Sequence, residues 1–195
     1  MSTRSCSVLL AALIAMFAFA GQASATTNVF FAFHRYGNTN SYLTINLQDT
    51  NSGAIIGQRG FRAGSGTSTD ECALRQGWLP AGWYDLRGHF DYYNGSLIKG
   101  RVWQLSDKRC NGGSGQLRSE LFIHSEETSD EGQYCPTPYD DPFCWEGDSD
   151  YYSLGCIKVA HAQPYPSDVG RLDATWDSWD GRHGYFTGYS AVFVS

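Results

Sequence analysis

A mainly β fold with one helix near the C-terminus is what this sequence predicts, on three observations. Glycine supplies 22 of 195 residues and aromatic side chains 15%, a turn-rich composition with ample ring surface to bury. Short stretches alternate apolar and polar residues with the period of two that a half-buried strand requires. A single window, residues 168–179, repeats its apolar residues at helical spacing instead. The length suits one domain.

Residues 1–25 read as an address rather than as structure. Arg4 is the lone charge before an apolar run over residues 8–21, shorter than the ~20 residues that span a bilayer. Ala23-Ser24-Ala25 follows as a cleavage signal. The expectation is a secreted chain that starts at Thr26 and keeps no membrane anchor.

Residues 29–33 then read as a buried strand, with a turn at Gly37-Asn38-Thr39-Asn40. Residues 42–47 alternate, placing Leu43, Ile45 and Leu47 on one face. Residues 49–53 make a turn, 54–57 a return strand, and 60–70, small and polar, a loop. Leu79-Pro80-Ala81-Gly82 leads into a strand over 83–86. Asn94-Gly95 signals a hairpin between residues 90–93 and 97–105. Residues 111–115 form a glycine-rich loop, 117–124 a core strand ending at His124, and 157–160 a short strand after Cys156. Ser167 caps the helix, Val169, Leu172, Trp176 and Trp179 share one face of it, and Gly181 ends it. Residues 185–194 close the chain as a strand.

The formal charge is -6, from 20 acidic residues against 14 Lys and Arg, with no basic tract. Nucleic acid is therefore not an expected partner, because a phosphate-binding surface needs clustered cations. Residues 120–150 hold 10 of the acids and no Lys or Arg. They also hold Cys135 and Cys144 beside three prolines. Cleavage removes Cys6 and leaves five cysteines, an odd number. Adjacency favours a Cys135–Cys144 bridge closing an acidic lobe at about 126–150, and a Cys72–Cys110 bridge closing a larger loop. Cys156 is then the free thiol; other pairings stay open at this point. Asp148-Ser149-Asp150 is too short for a calcium loop.

The chemistry-bearing residues are Cys156 and His124. Cys156 follows Gly155 and precedes a strand, which lets the backbone approach a ligand and then fixes the thiol. His124 ends another strand. A cysteine nucleophile needs such a base, because its thiol is mostly protonated near neutral pH. Backbone N–H groups around Gly155 and Cys156 suit the oxyanion of a tetrahedral intermediate. Ser125 and Ser153 are placed to orient His124 or to shape that site. His89 and His161 are alternative bases, with His34 and His183 weaker ones.

Ile123-His124-Ser125 together with Ser153-Leu154-Gly155-Cys156-Ile157-Lys158 resembles the signature of the YkuD-type L,D-transpeptidase catalytic domain. Leu79-Pro80-Ala81-Gly82-Trp83-Tyr84 is similar to that family's Thr-Pro-x-Gly strand entry. The resemblance spans about residues 77–195. Leu154 stands where the family usually has His, and Lys158 where it usually has Arg. The resemblance implies a β-sandwich of mixed sheets and an acyl transfer on peptidoglycan stem peptides through a Cys156 thioester, with His124 as base. A Cys–His pair needs no cofactor and no metal, and with the leader segment the expectation is a secreted, cell-wall-associated monomer; Trp145 and Tyr152 read as groove-lining substrate contacts or as packing, and Lys158 as a contact to a substrate carboxylate or as a solvent-facing residue. Water as acceptor would make the enzyme an L,D-carboxypeptidase. The rival class is a non-catalytic secreted domain that binds cell-wall glycan through Trp and Tyr faces.

Overall fold

The computed structural model of the chain describes residues 26–132, 147–160, 168–179, 181 and 184–195. Strands β1 (Thr27–His34) and β2 (Ser41–Asp49) pair antiparallel in unbroken register from Thr27↔Asp49 to His34↔Tyr42. Their alternation buries Val29, Phe31, Phe33, Leu43 and Ile45 on one side. The Asp49 carboxylate accepts the Asn51 and Ser52 N–H groups at 2.8 and 3.1 Å, which turns the chain into β3 (Ile55–Gly64). β4 (Gly82–Asn94) and β5 (Lys99–Leu105) form the next hairpin. The two-residue strands β6 (Lys108–Arg109) and β7 (Leu117–Arg118) pair apart from the main sheet. β8 (Phe122–His124), β9 (Ile157–Val159), helix α1 (Asp168–Ser178) and β10 (Gly184–Val194) complete the chain.

The main sheet closes on itself in the order β1-β10-β4-β5-β8-β9-β3-β2. Mainly β with one helix near the C-terminus is thus what the molecule has, but the strands make one closed barrel where two stacked sheets were expected. Closure depends on β10 returning beside β1 in parallel, Phe31↔Val192 to Phe33↔Val194. The other parallel pair is β8 and β9. A barrel of eight strands is just wide enough for side chains to fill. Here Phe31, Phe33, Leu43, Ile45, Leu86, Trp103, Ile123 and Ile157 fill it. α1 adds Val169, Leu172 and Trp176 to the same core, with Trp176 stacked on Phe31 at 5.6 Å between centroids. Each such large side chain contributes roughly 1.5–3 kcal/mol of burial. Gly181 N–H caps the helix end on Trp176 O at 2.9 Å. Ser167, the expected N-cap, lies outside the described residues.

Three local expectations change. β3 runs on through Gly60 and Gly64, which read as loop in sequence. Their small size has another cause: a side chain at Gly60 would collide with the Tyr42 ring, and one at Gly64 with Tyr151 and Asn38 carbonyls. The expected strand over 117–124 is two strands, broken at Glu120, whose φ is +55°. The Asn94-Gly95 hairpin has a four-residue loop closed by Gly95 N–H to Ile98 O at 3.0 Å. The Cys72–Cys110 bridge is present, with the expected pairing. Cys135 and Cys144 lie outside the described residues. Among the described residues no helix is long and apolar enough to cross a membrane.

Candidate active site

β8 and β9 run side by side in parallel, with Ile123 opposite Ile157 and His124 opposite Lys158. Ile123, Ile157 and Val159 point into the barrel core. The alternate residues Phe122, His124, Cys156 and Lys158 therefore share the outer face. The register sets Cys156 against Phe122, so His124 stands diagonally from Cys156, about 8 Å away between Cα atoms from strand spacing and rise. Cys156 and Phe122 belong to an outer apolar cluster with Val102, which Phe90, Tyr93 and Ile98 cover. The two strands that carry His124 and Cys156 are neighbours, and the topology puts both residues on one face.

Cys156 is the free cysteine among the described residues, 6% exposed. Its thiol donates to Glu120 O at 3.6 Å. The turn before it is built by Ser153, whose Oγ accepts the Gly155 N–H at 3.1 Å and the Gly66 N–H at 3.0 Å and donates to Cys156 O at 2.7 Å. Ser153 therefore fixes the backbone and does not touch His124. The Gly155 N–H is used within the turn, so it is not the oxyanion donor expected of it. Gly155 has φ +110°, and a Cβ there would collide with Arg118 Nη2 and lie 2.7 Å from Gly77 O. That close approach is what requires glycine here.

Arg118 is the residue that sequence reading missed. It is buried behind Gly155 and donates to Glu71 O at 2.6 Å and Leu154 O at 3.2 Å. Its two-residue spacing from Glu120, Phe122 and His124 was the available signal, hidden by the strand break at Glu120. Burial pushes the Cys156 thiol up to about 11, the Phe122 backbone and Arg118 pull it down, and Glu120 pushes it up again. Burial thus works against a standing thiolate, because removing water penalises the anion more than one guanidinium repays.

His124 is 8% exposed and lies with Nδ1 2.7 Å from Ser125 O. A carbonyl only accepts, so Nδ1 carries the proton and Nε2 presents its lone pair. Burial drives the imidazole down to about 4, opposed by the Ser125 carbonyl and aided by the Lys158 charge. Ser125 orients His124 through its backbone oxygen; its hydroxyl accepts the Glu127 N–H at 3.2 Å. Lys158 is buried and ion-paired with Glu126, so the expected substrate contact is a structural pair in this structure. Tyr152 is exposed, in the segment just before Ser153. Trp145, His161 and His183 lie outside the described residues. His34 Nδ1 lies 2.8 Å from Ser195 Oγ, and His89 faces the core on β4, so neither neighbours Cys156.

No protein-family model matches the chain. No curated protein matches it either. The roles of these residues accordingly rest on chemistry and geometry. A thiol near 11 and an imidazole near 4 are both neutral at pH 7. Such a pair does not hold a standing thiolate. Proton transfer from sulfur to Nε2 would therefore have to accompany bonding of sulfur to carbon, as in general-base catalysis.

Proposed function

We propose that the protein is a secreted, cysteine-dependent acyltransferase of the L,D-transpeptidase type that acts on peptidoglycan stem peptides. The observation supporting this reading is the shared outer face of β8 and β9, where the free Cys156 stands diagonal to an imidazole with an unprotonated Nε2. Nε2 takes the thiol proton as Sγ attacks the carbonyl carbon at the L-centre of the stem's diamino acid. The tetrahedral intermediate collapses, its C–N bond breaks, and the terminal D-Ala leaves as an amine carrying the proton from the imidazolium. The acyl group remains on Sγ as a thioester. An amine of a second stem then attacks that carbonyl and restores the thiol; with water the same cycle is a carboxypeptidase. The resemblance of the His124 and Cys156 segments to the YkuD-type signature agrees with this chemistry. Incubation with tetrapeptide muropeptides is expected to release D-Ala, with Cys156→Ala abolishing release and His124→Gln lowering it by about 10²–10⁴. Equal release by wild type and Cys156→Ala overturns the proposal.

A second reading draws on the burial of both groups and on a row of rings across three neighbouring strands. Trp83 on β4 is 55% exposed, with Phe193 at 5.1 Å and Phe30 at 6.5 Å between centroids. Such a face suits stacking on wall glycan without chemistry. On that reading, binding to insoluble wall survives Cys156→Ala and His124→Ala and falls with Trp83→Ala.

A further inference from the structure

The tip of the β4–β5 hairpin reads Asn94-Gly95-Ser96, and no other asparagine of the chain is followed two residues on by serine or threonine. Asn-x-Ser/Thr, with x other than proline, is the acceptor pattern for N-linked glycan on an exported chain. We propose that Asn94 is an N-glycan acceptor whose first sugar packs on the Tyr92 ring. The transfer joins Asn94 Nδ2 to the anomeric carbon of an oligosaccharide carried on a lipid pyrophosphate. The N–C bond forms, the sugar's C–O bond to pyrophosphate breaks, and Nδ2 gives up one proton as the lipid pyrophosphate leaves. The proposal rests on the export read from residues 1–25 and not on the acyltransferase chemistry.

Three observations carry it. First, turn chemistry does not account for the asparagine. The loop of this hairpin is residues 95–98, and Asn94 is the last residue of β4, paired with Lys99. Its φ is not positive, so the left-handed backbone that favours asparagine in tight hairpins is not in use there. Gly95, in contrast, is fixed by geometry: a Cβ would lie 2.7 Å from the Tyr93 ring and 2.9 Å from Ile98 O. Second, the two groups that the transfer needs are open in the folded chain. Asn94 and Ser96 are both exposed, and among the described residues neither the Asn94 amide nor the Ser96 hydroxyl has a hydrogen-bond partner. A bulky group on Nδ2 therefore displaces no hydrogen bond. Third, the neighbouring surface suits a sugar. Exposure alternates over residues 91–94, so Tyr92 and Asn94 share one side while Tyr93 turns to the other, its ring 5.4 Å from that of Phe122 between centroids. Tyr92 is 68% exposed, and its hydroxyl donates to Glu131, which fixes the ring. An open cavity of about 430 Å³, lined by Tyr92, Asn94 and Tyr185 among others, gives the first sugar room. The C–H face of a pyranose stacks on the apolar face of such a ring, and the tyrosine keeps its polar end in water.

The test is production of the full chain, with its own residues 1–25, in a eukaryotic secretory host, followed by intact mass and peptide mapping of the product. The expected result is a secreted chain with one glycan, on Asn94, which peptide N-glycosidase removes to leave aspartate at that position. Asn94→Gln and Ser96→Ala should each lose the glycan, Ser96→Thr should keep it, and Cys156→Ala should carry it as the wild type does. Enzymatic removal should lower the melting temperature of the wild type and leave that of Tyr92→Ala unchanged; any other pattern overturns the Tyr92 contact. A secreted wild type with unmodified Asn94 overturns the proposal and leaves the acyltransferase reading intact. A chain kept inside the cell with residues 1–25 attached and Asn94 unmodified overturns the export on which both rest.

Discussion

At neutral pH the Cys156 thiol keeps its proton, and that fixes how it responds to simple reagents. With its pKa pushed up to about 11, the thiolate fraction is about 100-fold below that of an ordinary cysteine. Alkylation of the native protein by iodoacetamide should be slower than that of a model thiol by about that factor at pH 7, and should rise steadily to pH 10. Fast labelling at pH 7 would show a site already ionised. His124 makes a second, independent statement. Its folded value of about 4 lies below the ordinary 6.5, so folded and unfolded chains are equally neutral above pH 6.5. As pH falls from 6.5 toward 4, the unfolded chain binds the proton first and stability is lost, by roughly 3 kcal/mol once pH is below both values. His124→Gln should remove that part of the slope. Comparing urea midpoints of the two proteins between pH 7 and pH 4 checks this, and identical slopes would contradict it. Glu127, whose carboxyl is raised by burial, is common to both proteins and cancels in the comparison.

At the scale of the element, the turn from Ser153 to Cys156 is the most exacting piece of backbone near the site. Gly155→Ala demands a positive φ of an L-residue and drives its Cβ into Arg118. It should cost about 2–4 kcal/mol by chemical denaturation; a loss under about 0.5 kcal/mol would mean that the turn relaxes freely. The Cys72–Cys110 bridge, with a sequence separation of 38, should contribute up to about 4 kcal/mol. Reduction should lower the melting temperature without changing Cys156. Much at this scale was legible in the sequence. The Val169, Leu172 and Trp176 face of α1 follows from spacing alone, and the odd cysteine count pointed to Cys156. The break at Glu120 was not legible, because a non-glycine residue at φ +55° leaves no mark in an apolar pattern. The burial of Lys158 was hidden for a similar reason: its partner Glu126 lies on another segment, and only the β8–β9 register brings them together.

At the scale of the whole molecule, closure of the barrel positions the site. Alternation within β1, β2 and β4 is a local property, so the strands themselves could be read residue by residue. That β10 lies parallel to β1, and β8 parallel to β9, depends on contacts across most of the chain, which no local pattern encodes. The same topology brings Asp173 of α1 to His89 of β4, a meeting of helix and strand that neither local pattern announces. The central claim, that Cys156 carries the acyl group, is tested most directly by trapping. The purified wild-type protein is mixed with tetrapeptide muropeptide, quenched in acid within the first turnover, digested and mapped by mass. The account predicts a thioester adduct on the Cys156 peptide, equal to the substrate less D-Ala and absent in Cys156→Ala. D-Ala release with no adduct on Cys156, or a folded protein that neither releases D-Ala nor is acylated, would contradict it.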